Sequence, residues 1–238
     1  FEQSNKLGGQ FRIWSKAPLT AEFIKSINWY EAQLRKLQVK VRLNRKIEEN
    51  EIEKFDTDVI IMATGSKAFK ENLTDGNIKS EILVLSPEEV FLQEQENKRI
   101  VLIDEGGGRN GISAIDAILK NNLITIVSTD FLIGEMINPN LRTPIYKKFL
   151  AQGVKFIPCC KLARLLKNDV VIKNIYSNKE QTIKNVDTII NWRGNQIVNN
   201  LQAAIERQTI TSKIIGDCRA PRQVHIAIAE GAMAACEI

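Results

Sequence analysis

The chain has 238 residues, 44% of them hydrophobic and 26% charged, which is the balance of a globular protein and excludes a disordered chain, a collagen or a small disulfide scaffold. The length allows one large domain or two small ones, at roughly 100–200 residues each. The net charge of +5 is spread along the chain: Arg35-Lys36, Arg45-Lys46 and Lys98-Arg99 are each diluted by nearby acids, so no basic face for nucleic acid is expected.

The opening Phe1-Glu2-Gln3-Ser4-Asn5-Lys6-Leu7-Gly8-Gly9 has no Met and no leader. It reads as a strand end followed by a glycine turn, so the chain is expected to begin inside a domain. A helix is predicted from about Thr20 to Leu37. Thr20 can cap its first amides, and Phe23, Ile27, Tyr30, Leu34 and Leu37 fall on one face. Val39–Leu43 alternates as a strand with one wet face. Val59–Ala63 is wholly apolar and ends in Thr64-Gly65-Ser66, the pattern of a parallel strand covered on both faces. Ile82–Leu85 is a further short strand, and Ser86-Pro87-Glu88-Glu89 a helix start.

Arg99–Ile103 is an apolar strand that runs into Asp104-Glu105-Gly106-Gly107-Gly108-Arg109-Asn110-Gly111. A helix over Ile112–Leu119 and a strand over Ile124–Val127 follow. Together they make a strand, glycine loop, helix and strand of about 30 residues, the size of half a dinucleotide-binding domain. Tyr146–Ala151 reads as helix, Val154–Ile157 as strand, and Val170–Asn174 with Gln181–Asn185 as a hairpin pair. Asp187–Trp192 is another buried strand. Lys213–Asp217 leads to a last helix from about Val224 to Ala235.

Phe55–Gly65 and Val186–Gly194 share a pattern of acid, strand and glycine, about 130 residues apart. The echo predicts an α/β chain of two nested Rossmann-like dinucleotide-binding units on three-layer parallel sheets. Residues 1–97 plus 197–238 form the outer unit and 98–196 the inserted one. Most glycines sit at strand ends or helix starts, where a backbone approaches a ligand or takes positive φ. The apolar runs are far shorter than the roughly 20 residues that span a membrane. Cys159, Cys160, Cys218 and Cys236 make no C-x-x-C pair and His225 is the sole histidine. Free thiols in a reducing, cytoplasmic setting and no metal site are therefore expected.

The middle loop matches the dinucleotide fingerprint as Gly106-x-Gly108-x-x-Gly111. If the strand sets the register, however, Asp104 stands where the first glycine belongs. Ser128 lies where a ribose-binding acid is expected, with Asp130 two residues on. Glu2…Leu7-Gly8-Gly9-Gln10, Ala63-Thr64-Gly65 and Gly216-Asp217-Cys218…Ala220-Pro221-Arg222 occur in that order. With the middle loop they resemble the two-dinucleotide-binding-domain flavoproteins. More closely, the chain resembles the C-terminal half of the 2,4-dienoyl-CoA reductase and trimethylamine dehydrogenase group of NADH:flavin oxidoreductases.

The resemblance implies that electrons pass from NAD(P)H through FAD to a partner TIM barrel, domain or subunit, that carries FMN and an iron–sulfur cluster. The alternative it implies is a non-catalytic docking module with ADP in place of FAD. It assigns Glu2 to the adenosine ribose, Ala63, Thr64 and Gly65 to the flavin side and Asp217 to the ribityl chain. Gly8, Gly9, Gln10 and Gly216 are further cofactor-binding residues, and Gly107, Gly108 and Gly111 belong to the NAD(P)H loop. The first strand and glycine loop of the FAD-type domain have no counterpart in the sequence. No catalytic side chain is assigned, neither nucleic acid nor membrane is expected as a partner, and a homo-oligomer is left open.

Overall fold

The computed structural model describes residues 1–70, 73, 80–208 and 210–238. Its helices are α1 Gly9–Trp14, α2 Phe23–Lys36, α3 Arg109–Ala117, α4 Pro139–Ala151, α5 Gln202–Glu206 and α6 Val224–Cys236. Its strands are β1 Val59–Met62, β2 Ser66–Ala68, β3 Leu83–Leu85, β4 Arg99–Asp104, β5 Leu123–Ser128 and β6 Lys155–Ile157, then β7 Cys160–Leu165, β8 Val170–Asn174, β9 Glu180–Ile183, β10 Thr188–Trp192, β11 Asn195–Ile197 and β12 Thr211–Ile214. The chain divides into two units. The first comprises Phe1–Leu7, Tyr30–Lys67 and Gly194–Ile238, and the second Gly8–Trp29 and Ala68–Arg193.

The second unit is built on a five-stranded sheet in the order β3-β10-β4-β5-β6, parallel at every pairing. Successive side chains of a strand point to opposite faces, and here both faces are apolar. Ile100 and Leu102 of β4 pack with Trp14, Ile112, Ile115 and Phe149. Val101 and Ile103 pack with Leu165, Val170, Ile172 and Ile189. A strand covered on both sides is apolar at most positions, which explains the run Ile100–Ile103 in β4 and the pair Ile189–Ile190 in β10. The α/β, Rossmann-like fold expected from the sequence is thus present, and β1 and the strand before Gly216 are parallel neighbours as expected.

Helices α3 and α4 contribute to the first face, while the second is covered by an antiparallel sheet, β7-β8-β9. The hairpin β8–β9 was legible, but β7 was not. Lys161 and Arg164 interrupt its apolar residues and its pairing shifts register between Leu162 and Arg164, which spoils the alternation that marks a strand. Helix α4 starts seven residues before its expected beginning. Asn138 Oδ1 caps it by accepting from Asn140 N–H at 2.9 Å and Pro139 opens it, but Pro144 inside the helix breaks the sequence pattern.

Two local expectations fail. Thr20 does not cap the long helix: it ends a short 3-10 turn over Pro18–Thr20, is buried, and its hydroxyl donates to Trp14 O at 2.5 Å. Val39–Leu43 forms no strand. Glu2 N–H donates to Arg42 O, Arg45 N–H to Glu2 O and Asn44 N–H to Ser4 O, each at 2.9 Å, and so irregular a set makes no ladder.

The first unit holds a two-stranded parallel sheet, with Val59–Met62 in register with Thr211–Ile214. Its core gathers Ile52, Met62, Ala204, Ile205 and Cys218.

One buried charge organises the helical face of the second unit. Asp116 of α3 accepts Leu19 N–H at 2.9 Å and pairs with Lys148 of α4. In Asp116→Ala, Leu19 N–H loses its acceptor, while the half-exposed Lys148 returns to water. The expected loss is about 1–3 kcal/mol, read from the urea midpoint. Asp116→Asn keeps an acceptor for Leu19 and is expected to lose less.

Candidate nucleotide-binding sites

In the first unit, the carboxyl ends of β1 and β12 are neighbours, the end of a parallel sheet at which ligands bind. Ala63 and Thr64 follow β1 and are exposed. The Thr64 hydroxyl donates to Val198 O. Gly65 has φ +75°, and a Cβ there would meet nothing within 4 Å. Its glycine therefore answers to backbone conformation, and the space beside it is open.

Gly216 and Asp217 follow β12 in a 3-10 turn that leads to α6. Asp217 Oδ2 accepts from Ser66 Oγ at 2.8 Å, and Oδ1 accepts from Arg222 N–H at 3.2 Å. Asn195 Nδ2 donates to the same Ser66 Oγ at 2.8 Å. A carboxylate offers about four lone-pair sites. Two are used here, so the half-buried Asp217 is held in orientation with acceptor capacity left for ligand hydroxyls.

The turn is clamped from α6. Glu230 Oε2 accepts Gly216 N–H at 2.7 Å, and Oε1 accepts from Arg219 at 3.2 Å and Arg222 at 2.5 Å. The Arg222 contact, with the Gly216 amide second, holds the Glu230 carboxyl below its usual range. Sequence reasoning passed over Ser66, Asn195 and Glu230. Only Glu230 left a signal, as the one acid in the largely apolar segment 224–236.

Glu2 also lies in the first unit. Its carboxylate accepts Ser4 N–H at 2.8 Å and the Ser4 hydroxyl. Phe1 anchors this end against Phe55, with ring centroids 5.4 Å apart, and under the Arg42 guanidinium. Gly8, Gly9 and Gln10 belong to the second unit. Gly8 caps α1 with φ +106°, and a Cβ there would stand 3.0 Å from Ile27 Cδ1, so close packing against α2 accounts for that glycine.

The glycine loop of the second unit lies at the carboxyl ends of β4 and β10. Asp104, the last residue of β4, is fully buried. Its Oδ1 accepts Gly107 N–H at 3.0 Å, and its Oδ2 has no hydrogen-bond partner among the described residues. Burial, reinforced by Asp130 and Glu105, pushes its carboxyl up to about 7 against the pull of the Gly107 and Gly106 amides. A Cβ on Gly106 would collide with the Trp192 indole nitrogen, and one on Gly107 would stand 2.6 Å from Asp130 Oδ2. Met136 N–H donates to Gly107 O at 3.1 Å.

Gly108 caps α3 and Gly111 lies in its first turn, against Leu102 at 3.2 Å from an added Cβ. Glu105 pairs with Arg193 at 2.7 Å. Its carboxyl is raised by burial and lowered in part by Lys161. That of Asp130 is raised by burial and by Glu135. An anionic pyrophosphate would meet three carboxylates here, so the residues present fit a dinucleotide poorly while Asp104 is ionised.

Cys218 is a buried thiol, bonded to Met62 O at 3.2 Å and Ile215 O at 3.0 Å, and all four cysteines are free. Trp192 packs in the core, whereas His225 is exposed in the first turn of α6. Among the described residues no group of three or more His, Cys, Asp or Glu side chains could hold a metal. No helix among them is long and apolar enough to cross a membrane.

No family model matches the chain. It is 23% identical over 267 residues to the N,N-dimethylglycine/sarcosine dehydrogenase of Chromohalobacter salexigens, covering 96% of this chain and 38% of that protein. It is 24% identical over 242 residues to the NADH oxidase of Thermoanaerobacter brockii, covering 100% of this chain and 37% of the relative. The solved structure of histamine dehydrogenase from Rhizobium sp. 4-9 superposes with a TM-score of 0.89 at 16% identity, over 99% of this chain and 39% of that one. The chain therefore shares the fold of a part of that histamine dehydrogenase. It spans less than two fifths of the length of these relatives.

The raised Asp104 carboxyl makes stability depend on pH. Its folded value, about 7, lies above the ordinary 3.9 of an unfolded chain, so folding favours the protonated form. That contribution is complete below about pH 4, is lost as pH rises towards 7, and is constant above. The stability of the parent relative to Asp104→Asn, from urea unfolding at pH 4, 5.5, 7 and 8.5, is expected to fall between pH 4 and 7 and then level off.

Proposed function

We propose that this chain is the nucleotide-binding part of a flavin-dependent oxidoreductase, and that its first unit holds FAD, or ADP in its place. The observation that carries this reading is Asp217, fixed by Ser66 and the Arg222 amide beside the open Gly65 backbone. A ribose or ribityl chain presents hydroxyl donors, and a carboxylate is acceptor-only when ionised. Glu2 would serve the adenosine ribose, and Ala63–Gly65 the flavin side. Bound flavin supplies the redox chemistry, and the protein supplies binding, orientation and electrostatics, in keeping with the absence of an assigned catalytic side chain.

NAD(P)H is the proposed electron donor, on the loop Gly107–Gly111 of an inserted unit over 98–196. The name of the Thermoanaerobacter relative, an NADH oxidase, favours that donor. The acceptor is a partner TIM-barrel domain or subunit with FMN and an iron–sulfur cluster, as in the 2,4-dienoyl-CoA reductase and trimethylamine dehydrogenase group. The small share of each relative that this chain covers leaves room for such a partner. A second reading, a docking module that holds ADP and takes no electrons, is favoured by the three carboxylates around the loop.

Calorimetric titration with FAD and with ADP tests the reading. Loss of a hydrogen bond to a charged group costs about 1.5–3 kcal/mol, so Asp217→Ala is expected to bind roughly ten- to a hundredfold more weakly, with an unchanged circular dichroism spectrum. Equal affinity in the two forms would remove Asp217 from the site.

A further inference from the structure

The glycine loop of the second unit holds a carboxyl group where a ligand anion is expected. Loop amides at the start of a helix bind phosphate because their N–H groups point at it. Here Gly107 N–H points inward to Asp104 Oδ1, and the Gly106 amide also favours the ionised Asp104. Asp104 is fully buried, and its Oδ2 has no hydrogen-bond partner among the described residues. Trp192 Nε1 is likewise buried without a partner among them and presses on Gly106. The glycines at 106 and 107 thus admit the protein's own Trp192 and Asp130.

We infer that Asp104 is a built-in competitor for the loop: its carboxylate takes the Gly107 amide that a nucleotide phosphate would need, so the second unit admits NAD(P)H only when Asp104 is neutral. The inference rests on the proposed NAD(P)H donor and is independent of the Asp217 site.

The electrostatics run in one direction. Asp130 and Glu105 oppose ionisation of Asp104, while the Gly107 and Gly106 amides favour it. Arg193 and Lys161 act on Glu105, and Glu135 on Asp130. The carboxyl titrates at about 7. Below that pH, Asp104 is neutral, and its repulsion of a pyrophosphate and its hold on the Gly107 amide both weaken. Above it, a fixed negative charge sits inside the loop. Binding of a dinucleotide would therefore be accompanied by proton uptake.

The experiment measures NADH affinity by quenching of tryptophan fluorescence at pH 6 and pH 8.5, for the parent and for Asp104→Asn. Asparagine retains an acceptor for Gly107 N–H but carries no charge. In the parent, affinity is expected to fall at least tenfold from pH 6 to pH 8.5. In Asp104→Asn it is expected to be nearly flat, and at pH 8.5 at least tenfold tighter than in the parent. Equal affinity of the two forms at pH 8.5, or binding by neither at either pH, overturns the inference. Binding by the parent at pH 6 sustains the donor reading whichever way the comparison falls. In the nucleotide-free protein, the Gly107 amide resonance is expected to titrate near pH 7 and to stop titrating in Asp104→Asn. A Gly107 resonance that is flat from pH 5 to 9 in the parent also overturns the inference.

Discussion

Burial of β4 on both faces is the constraint on which the second unit depends. A parallel strand in the middle of a sheet has no wet side, so every residue from Ile100 to Ile103 must be apolar and must find a partner layer. The partners differ. On one face α3 and α4 close over Ile100 and Leu102; on the other the β7–β9 meander closes over Val101 and Ile103. Once the strand is sealed in this way, its last residue is sealed with it. Asp104 therefore carries a carboxyl into an interior that disfavours its charge, and the loop amides answer that need.

The two candidate sites use the same geometry with opposite electrostatics. Both lie at the carboxyl ends of parallel strands, and both place glycines and an acid at a strand-to-helix turn. In the first unit the acid is half-buried, is held by two donors, and stands next to the open backbone of Gly65. Such an acid can accept from ligand hydroxyls. In the second unit the acid is wholly enclosed and faces other acids. A glycine motif alone does not distinguish the two cases, because glycine serves a tight approach by Trp192 as readily as one by a phosphate.

Most strands were legible in the sequence because their burial is two-sided: β4, β5 and β10 are dominated by buried apolar residues. β1 pairs with β12 in parallel as expected, but the apolar run at its start did not mean cover on both faces, since Ile61 is exposed. What was lost depends on contacts between residues distant in sequence. Thr20 reads as a cap, but its hydroxyl is drawn to Trp14 O. Strand β7 is hidden by a shift of register that breaks its alternation, and the start of α4 by Pro144. At the first site, Gly65 and Asp217 were visible as motif residues, whereas Ser66 and Asn195 were not. Their role arises only when folding brings positions 66, 195 and 217 together.

The central claim is that the first unit carries a nucleotide with an ADP moiety, and it is tested most directly by finding out what the protein binds. The purified chain, incubated with equimolar FAD and ADP and freed of unbound ligand by gel filtration, is denatured in acid. The supernatant is then resolved by chromatography with absorbance detection. The account predicts near-stoichiometric release of FAD or ADP. A folded protein that releases neither would contradict it.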